Sequence, residues 1–170
     1  NPRYIQQLDK IENVRQILRY EQFKNCFREL DVSYITGETG AGKTRSVMEK
    51  YGYQNVYRVR DYNHPFDSYK GQDVIVFEEF RSSLKIQDML NYLDGYPCEL
   101  PCRYNNKLAC FTKVYIITNI SFNQQYINIQ AESKETWKAF CRRIHHFFTC
   151  TKALGMQEET EWVQMTCFEK

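Results

Sequence analysis

The sequence predicts an α/β fold, a mainly parallel central sheet flanked by helices and preceded by a short helical segment. Three observations predict it. The apolar run Val32-Ser33-Tyr34-Ile35-Thr36 passes through the glycine-rich segment Gly37-Glu38-Thr39-Gly40-Ala41-Gly42-Lys43-Thr44 into Arg45-Ser46-Val47-Met48-Glu49-Lys50, a strand, a loop and a helix in succession. Two further runs, Val74-Ile75-Val76-Phe77 and Val114-Tyr115-Ile116-Ile117, lack polar alternation and read as strands buried on both faces, as in a parallel sheet covered by helices. Apolar residues at helical spacing follow each of them, at Leu84, Ile86, Met89, Leu90 and Leu93, and at Trp137, Phe140, Cys141 and Ile144.

The chain has 170 residues, 42% hydrophobic and 26% charged, which suits one domain with a sizeable core. No apolar run approaches a membrane span and no secretory leader is visible, so no membrane partner and a cytoplasmic location are expected. The first residue is Asn1 rather than Met, which reads as a piece of a longer protein. A net charge of +2 gives no global basic field, so nucleic-acid binding would need a local patch. The 13 Tyr and 11 Phe are divided between core, base stacking and subunit contacts. Seven cysteines with no C-x-x-C pair read as reduced thiols, several buried, rather than a zinc site.

Residues 1–30 look helical in two pieces, the second from Glu21 to Leu30. They read as helices packed on the domain, with docking to a neighbouring subunit as the alternative. The glycine-rich segment fits G-x-x-x-x-G-K-[ST], the phosphate-binding P-loop. Glycines let the backbone curl with its N–H groups inward, and the helix N-terminus adds partial positive charge there. Lys43 reaches the β- and γ-phosphates and the Thr44 hydroxyl ligates Mg²⁺, so ATP and Mg²⁺ are the expected cofactors. A plain glycine turn is the alternative, and the flanking strand and helix weigh against it.

Gly52 reads as a helix C-cap, and Asn55-Val56-Tyr57-Arg58-Val59 as a short strand. Asp61 to Gln72 is a polar loop in which His64 has a surface or hydrogen-bonding role. The strand ending at Phe77 is followed by Glu78 and Glu79, the position at which open α/β sheets bind ligands. This is a Walker B arrangement, one acid holding Mg²⁺ and the other polarising the attacking water. A helix runs from Ser83 to Gly95. Pro97 to Thr112 reads as a β-hairpin whose tip, Arg103-Tyr104-Asn105-Asn106-Lys107, is basic and aromatic. Arg and Lys suit phosphates and Tyr stacks on bases; an ordinary polar turn is an equal alternative.

Lys113 to Asn119 is a third buried strand, and Asn119 would lie near Glu79, able to hold water or touch the γ-phosphate. Residues 120–132 read as a polar loop. Ser133 caps a helix through about Ile144 whose apolar face leaves Arg142 and Arg143 exposed. An arginine finger or a solvated pair at a helix C-terminus are the two readings. His145 to Cys150 is a last strand, and 151–170 a polar, acidic tail.

Together Gly37–Thr44, Phe77-Glu78-Glu79-Phe80, the Arg103–Lys107 hairpin, Ile117-Thr118-Asn119 and Cys141-Arg142-Arg143-Ile144 resemble the superfamily 3 helicase domain of replication-initiation (Rep) proteins. Such proteins occur in circular single-stranded DNA viruses and related bacterial rolling-circle plasmids. The segment from Tyr53 to Asn119 is most similar in wording to the plasmid-type members, and the same class includes RNA-virus ATPases. The resemblance implies an AAA+-type ATPase working as a ring, commonly hexameric, that unwinds DNA during rolling-circle replication, in the host nucleus for a virus of eukaryotes.

It implies that Lys43 and Thr44 bind phosphate and Mg²⁺, Glu78 holds metal, Glu79 activates water, and Asn119 is the sensor. Arg103, Tyr104 and Lys107 fall in the hairpin that tracks single-stranded DNA, and Arg142 or Arg143 would reach a neighbour's nucleotide. Residues 1–30 match the family's oligomerisation segment, 31–150 the ATPase domain, and 151–170 a C-terminal tail. The family's nicking domain has no counterpart here, so no nicking is expected. An RNA helicase, or a nucleotide-binding assembly module that never unwinds, are the alternatives.

Overall fold

A computed structural model describes residues 2–168. Its centre is a six-stranded sheet in the order β2-β3-β6-β1-β7-β8. These strands are β1 (Asp31–Gly37), β2 (Val56–Val59), β3 (Val74–Phe77), β6 (Lys113–Ile117), β7 (His146–Thr151) and β8 (Gly155–Glu158). The first five are parallel, and β8 returns antiparallel to β7. A separate two-stranded hairpin joins β4 (Glu99–Leu100) to β5 (Lys107–Leu108).

Alternation along the strands builds two cores. Val32, Tyr34, Ile75, Phe77, Val114 and Ile116 face the larger one, which α3 (Ile86–Tyr92) and α5 (Lys134–Arg142) cover. Ile35, Val74, Val76, Tyr115 and Ile117 face the other, covered by Val47 and Met48 of α2 (Lys43–Tyr51). Apolar runs without alternation thus mark strands buried on both faces, as the sequence indicates. Gly52 closes α2 at φ 84°, donating to Met48 O at 3.0 Å.

Several boundaries differ from the sequence reading. The N-terminal segment is one helix, α1 (Pro2–Phe23), and Phe23 is its only buried residue. It does not continue to Leu30, because Arg28 is fully buried with its backbone N–H on Gly95 O at 2.7 Å and its guanidinium on Phe111 O at 2.8 Å. Those partners hold the chain extended. Helix α3 begins at Ile86 rather than Ser83, since the Ser83 hydroxyl accepts from Arg81 N at 3.1 Å in the preceding turn.

The polar loop after Asn119 contains a short turn, Phe122–Gln124, with a Ser121/Gln124 capping box, and a helix, α4 (Ile127–Glu132). Ser133 stands at the N-cap of α5, but its hydroxyl lies 2.8 Å from that of Thr136 instead of on a backbone N–H. The tail is structured too: it supplies β8 and α6 (Thr160–Phe168). Among the described residues no helix is long and apolar enough to cross a membrane.

Candidate functional site

Strands β1, β3 and β6 are neighbours and release their carboxyl ends together. Ile35 pairs with Ile117, and Phe77 with Ile116, so Gly37, Glu78, Glu79 and Asn119 emerge at one edge. Phe80 N donates to Ile117 O at 3.0 Å, closing the loop after β3 over β6.

The loop between β1 and α2 turns through Gly40 at φ 77° and Gly42 at φ 87°. Gly37 answers a different need: a Cβ there would stand 1.9 Å from the carbonyl oxygen of Cys150 on β7. Cys150 also reaches the loop through its Sγ, 3.3 Å from Ala41 O. Lys43 is buried, and its ammonium donates to Gly37 O and Glu38 O, both at 2.7 Å, from across the loop. Thr44 follows in the first turn of α2, half-buried, where amides lack intrahelical partners. Glu38, Thr39 and Gly40 are exposed, and Ala41 is half-buried.

The two glutamates are in different settings. Glu78 is nearly covered and grips Arg58 of β2 with both oxygens, at 2.5 and 2.7 Å. Arg58 pairs with Val76 across the strands, so the two side chains are same-face diagonal neighbours. The ion pair holds the guanidinium pKa above its ordinary value. Tyr62 donates to Glu78 O at 2.6 Å, and burial pushes its phenol well above the ordinary range. Glu79 is exposed and adopts φ 49°, a conformation that costs a non-glycine residue about 1–3 kcal/mol.

Asn119 is exposed, and its Oδ1 accepts from Arg81 Nη2 at 2.7 Å. The buried Gln125 ties these loops together. Its Nε2 donates to Tyr34 OH and Phe80 O, both at 3.0 Å, and its Oε1 accepts from Ser82 N at 2.6 Å.

The remaining predicted residues are elsewhere. Hairpin β4–β5 leads into the amino end of β6, away from the glycine loop. Its tip is less free than the sequence suggests. Arg103 grips Asp67 through Nε at 2.5 Å and through its backbone N–H at 3.1 Å, which holds the Asp67 carboxyl below its usual range. Lys107 donates to Asp67 O at 2.5 Å. Tyr104 projects furthest into solvent, 92% exposed.

Arg142 and Arg143 stand at the end of α5, just before β7 enters the sheet, again opposite the glycine loop. Only Arg142 is exposed. Arg143 is half-buried, donating to Leu90 O, Ala139 O and Asp94 Oδ2 at 3.1, 2.9 and 2.9 Å. The expectation of two exposed arginines is therefore corrected, because the helix ends before Arg143 and turns it towards α3.

Sequence reasoning missed Arg58, Arg81, Tyr62 and Gln125. A charged residue inside the short strand Val56–Val59 is a visible signal for Arg58, though nothing in the strand marks its carboxylate partner. Nothing in the local pattern marks Gln125.

Residues 33–120 match the model of the RNA helicase family. The chain belongs to this family. The matched span takes in Gly37–Thr44, Glu78, Glu79, the β4–β5 hairpin and Asn119, and leaves out α1 and Arg142. This helicase-family chain is 33% identical over 142 residues to the replication-associated protein of Goose circovirus, covering 83% of this chain and 45% of that protein. It is 31% identical to the replication protein of Onion yellows phytoplasma (strain OY-M), over 60% of this chain and 28% of that one. The replication-associated protein of Beak and feather disease virus is also 31% identical, with 67% and 37% covered. The chain therefore spans less than half the length of these relatives. Family and relatives together identify a superfamily 3 helicase domain of the Rep type.

Proposed function

We propose that this domain is an ATP-driven motor that assembles into a ring, commonly of six copies, and unwinds DNA during rolling-circle replication. The observation that carries the reading is the convergence of the glycine loop, Glu78, Glu79 and Asn119 on one edge of the sheet. Loop amides and the α2 N-terminus bind the phosphates, and Lys43 leaves its two carbonyls for the β- and γ-phosphate oxygens. The hydroxyl of Thr44 and the carboxylate of Glu78 are hard oxygen donors that fit Mg²⁺. When bound, Mg²⁺ neutralises charge developing on the phosphates. Glu79, exposed at the sheet edge where Asn119 also emerges, accepts the proton of the attacking water, and Asn119 holds that water.

Arg142 is the finger, because its guanidinium is exposed at the edge a neighbouring subunit would read, whereas Arg143 is committed to Asp94. Helix α1 supplies the assembly contact: Tyr4, Ile5, Leu8, Ile11, Val14, Ile17 and Leu18 are 46–63% exposed, apolar side chains interspersed with charged ones that have a use between subunits. Tyr104 stacks on bases, and Arg103 and Lys107 hold the hairpin that presents it.

ATP turnover with and without single-stranded DNA tests the reading. Lys43→Ala abolishes turnover if it is right, and unchanged turnover refutes the motor. The family's description favours RNA as a second substrate, so strand displacement is measured on DNA and RNA forks. Displacement of RNA alone would reverse the assignment. Sedimentation with ATP and single-stranded DNA tests the ring.

A further inference from the structure

The β7–β8 hairpin brings a second lysine to the phosphate loop. Three contacts fix that hairpin against the loop. Gly37 pairs with Cys150, and there is no room for a Cβ between them. The Cys150 Sγ reaches Ala41 O at 3.3 Å. Beyond them, in the turn between the strands, Lys152 lies over the loop, its Cε 3.8 Å from where a Cβ of Gly40 would stand.

Lys152 is exposed, and among the described residues it has no hydrogen-bond or ion-pair partner. Its charge is thus available, unlike that of Lys43, which the loop's own carbonyls occupy. The ammonium extends one bond past Cε, and an oxygen held by the loop's N–H groups sits about 3 Å from their nitrogens. The Nζ itself is more than 4 Å from where a Cβ of Gly40 would stand, so rotation of the lysine side chain, with no backbone movement, is what would bring the two together. Gly40 is in the middle of the motif, where the amides cradle the α- and β-phosphates.

We infer that Lys152 is a second phosphate ligand of this site, clamping the β-phosphate of a nucleoside di- or triphosphate from the β7–β8 turn. This rests on the reading of Gly37–Thr44 as a nucleotide site. Lys43 enters from the helix, whereas Lys152 enters from a hairpin in the segment that looks like an idle tail in sequence. A clamp on the β-phosphate acts on ATP and ADP alike, so it retains product as well as substrate.

The test is equilibrium binding of AMP, ADP and ATP, by calorimetry, to the wild-type chain, Lys152→Ala, Lys152→Arg and Lys43→Ala. Thermal melts check that each variant is folded. Lys152→Ala is expected to weaken ADP and ATP equally, about tenfold, the worth of one charge-assisted hydrogen bond, and to leave AMP unchanged. Lys152→Arg retains binding within a few-fold. Unchanged ADP and ATP affinities in a folded Lys152→Ala overturn the inference. If Lys43→Ala still loses binding in that case, the site itself stands. An equal loss for AMP overturns the β-phosphate assignment. A wild-type chain that binds neither ADP nor ATP overturns the site and the inference together.

Discussion

Under the proposed function Glu78 holds Mg²⁺, yet in this structure its two oxygens hold Arg58, so metal and arginine would compete for one carboxylate. Arg58→Ala removes the competitor. The pair has two charge-assisted hydrogen bonds, and such bonds contribute roughly 1.5–3 kcal/mol where they are shielded. The Arg58 side chain is 37% exposed and that of Glu78 12%, so solvent screening takes part of this. About 1.5 kcal/mol is left, or tenfold in an equilibrium constant. A Mg²⁺ titration of ATP binding should therefore show half-saturation at about tenfold lower Mg²⁺ in Arg58→Ala. The melting temperature should fall by roughly 3–6 °C, since the same interaction supports the fold. Glu78→Gln should remove most of the Mg²⁺ dependence. A midpoint that stays in place, or moves to higher Mg²⁺, in a folded Arg58→Ala would refute exchange of Glu78 between arginine and metal.

Gly37→Ala should destabilise the chain by about 3 kcal/mol or more, because its Cβ meets the Cys150 carbonyl at 1.9 Å and its φ is 137°; chemical denaturation measures it. Arg142→Ala should abolish concentration-dependent ATP turnover while leaving the melt unchanged. Arg143→Ala should cost about 1–3 kcal/mol of stability by leaving Leu90 O, Ala139 O and Asp94 without their donor, and the reverse pattern would exchange their roles. The clasp of Arg103 on Asp67 lowers the folded-state carboxyl pKa, so its support of the hairpin is full above the ordinary value near 4 and is lost as pH falls through the lowered one. Amide chemical shifts of Arg103, followed from pH 6 to pH 2, should report that release, and Asp67→Asn should abolish the transition.

The strands that carry the site were legible because burial on both faces leaves an unbroken apolar run, as at Val74–Phe77 and Val114-Tyr115-Ile116-Ile117. The glycine loop was legible because its backbone shape restricts its residues. What the sequence hid depends on contacts far apart in the chain. Arg28 breaks a helical pattern because carbonyls at Asp94, Gly95 and Phe111 claim it. Arg143 looks exposed by helical phase, but the helix stops one residue earlier. Strand β8 (Gly155–Glu158) was hidden because it is an exposed edge strand, and edge strands lack the apolar run that reveals a central one. The left-handed residues Glu79, Ser82 and Tyr126 have no local signature, since tertiary bonds impose them.

Gln125 has a consequence for how this domain can change over time. Its amide donates two hydrogen bonds and accepts two more, from the hydroxyl and the backbone of Ser82. Glutamate has the shape without the donors, leucine or methionine the bulk without either, and histidine cannot present both sets at once. One substitution there unsettles the arcs that bear Glu79 and Asn119 together. A change at Glu79 or at Asn119 alters one arc, whereas a change at this glutamine loosens both at once.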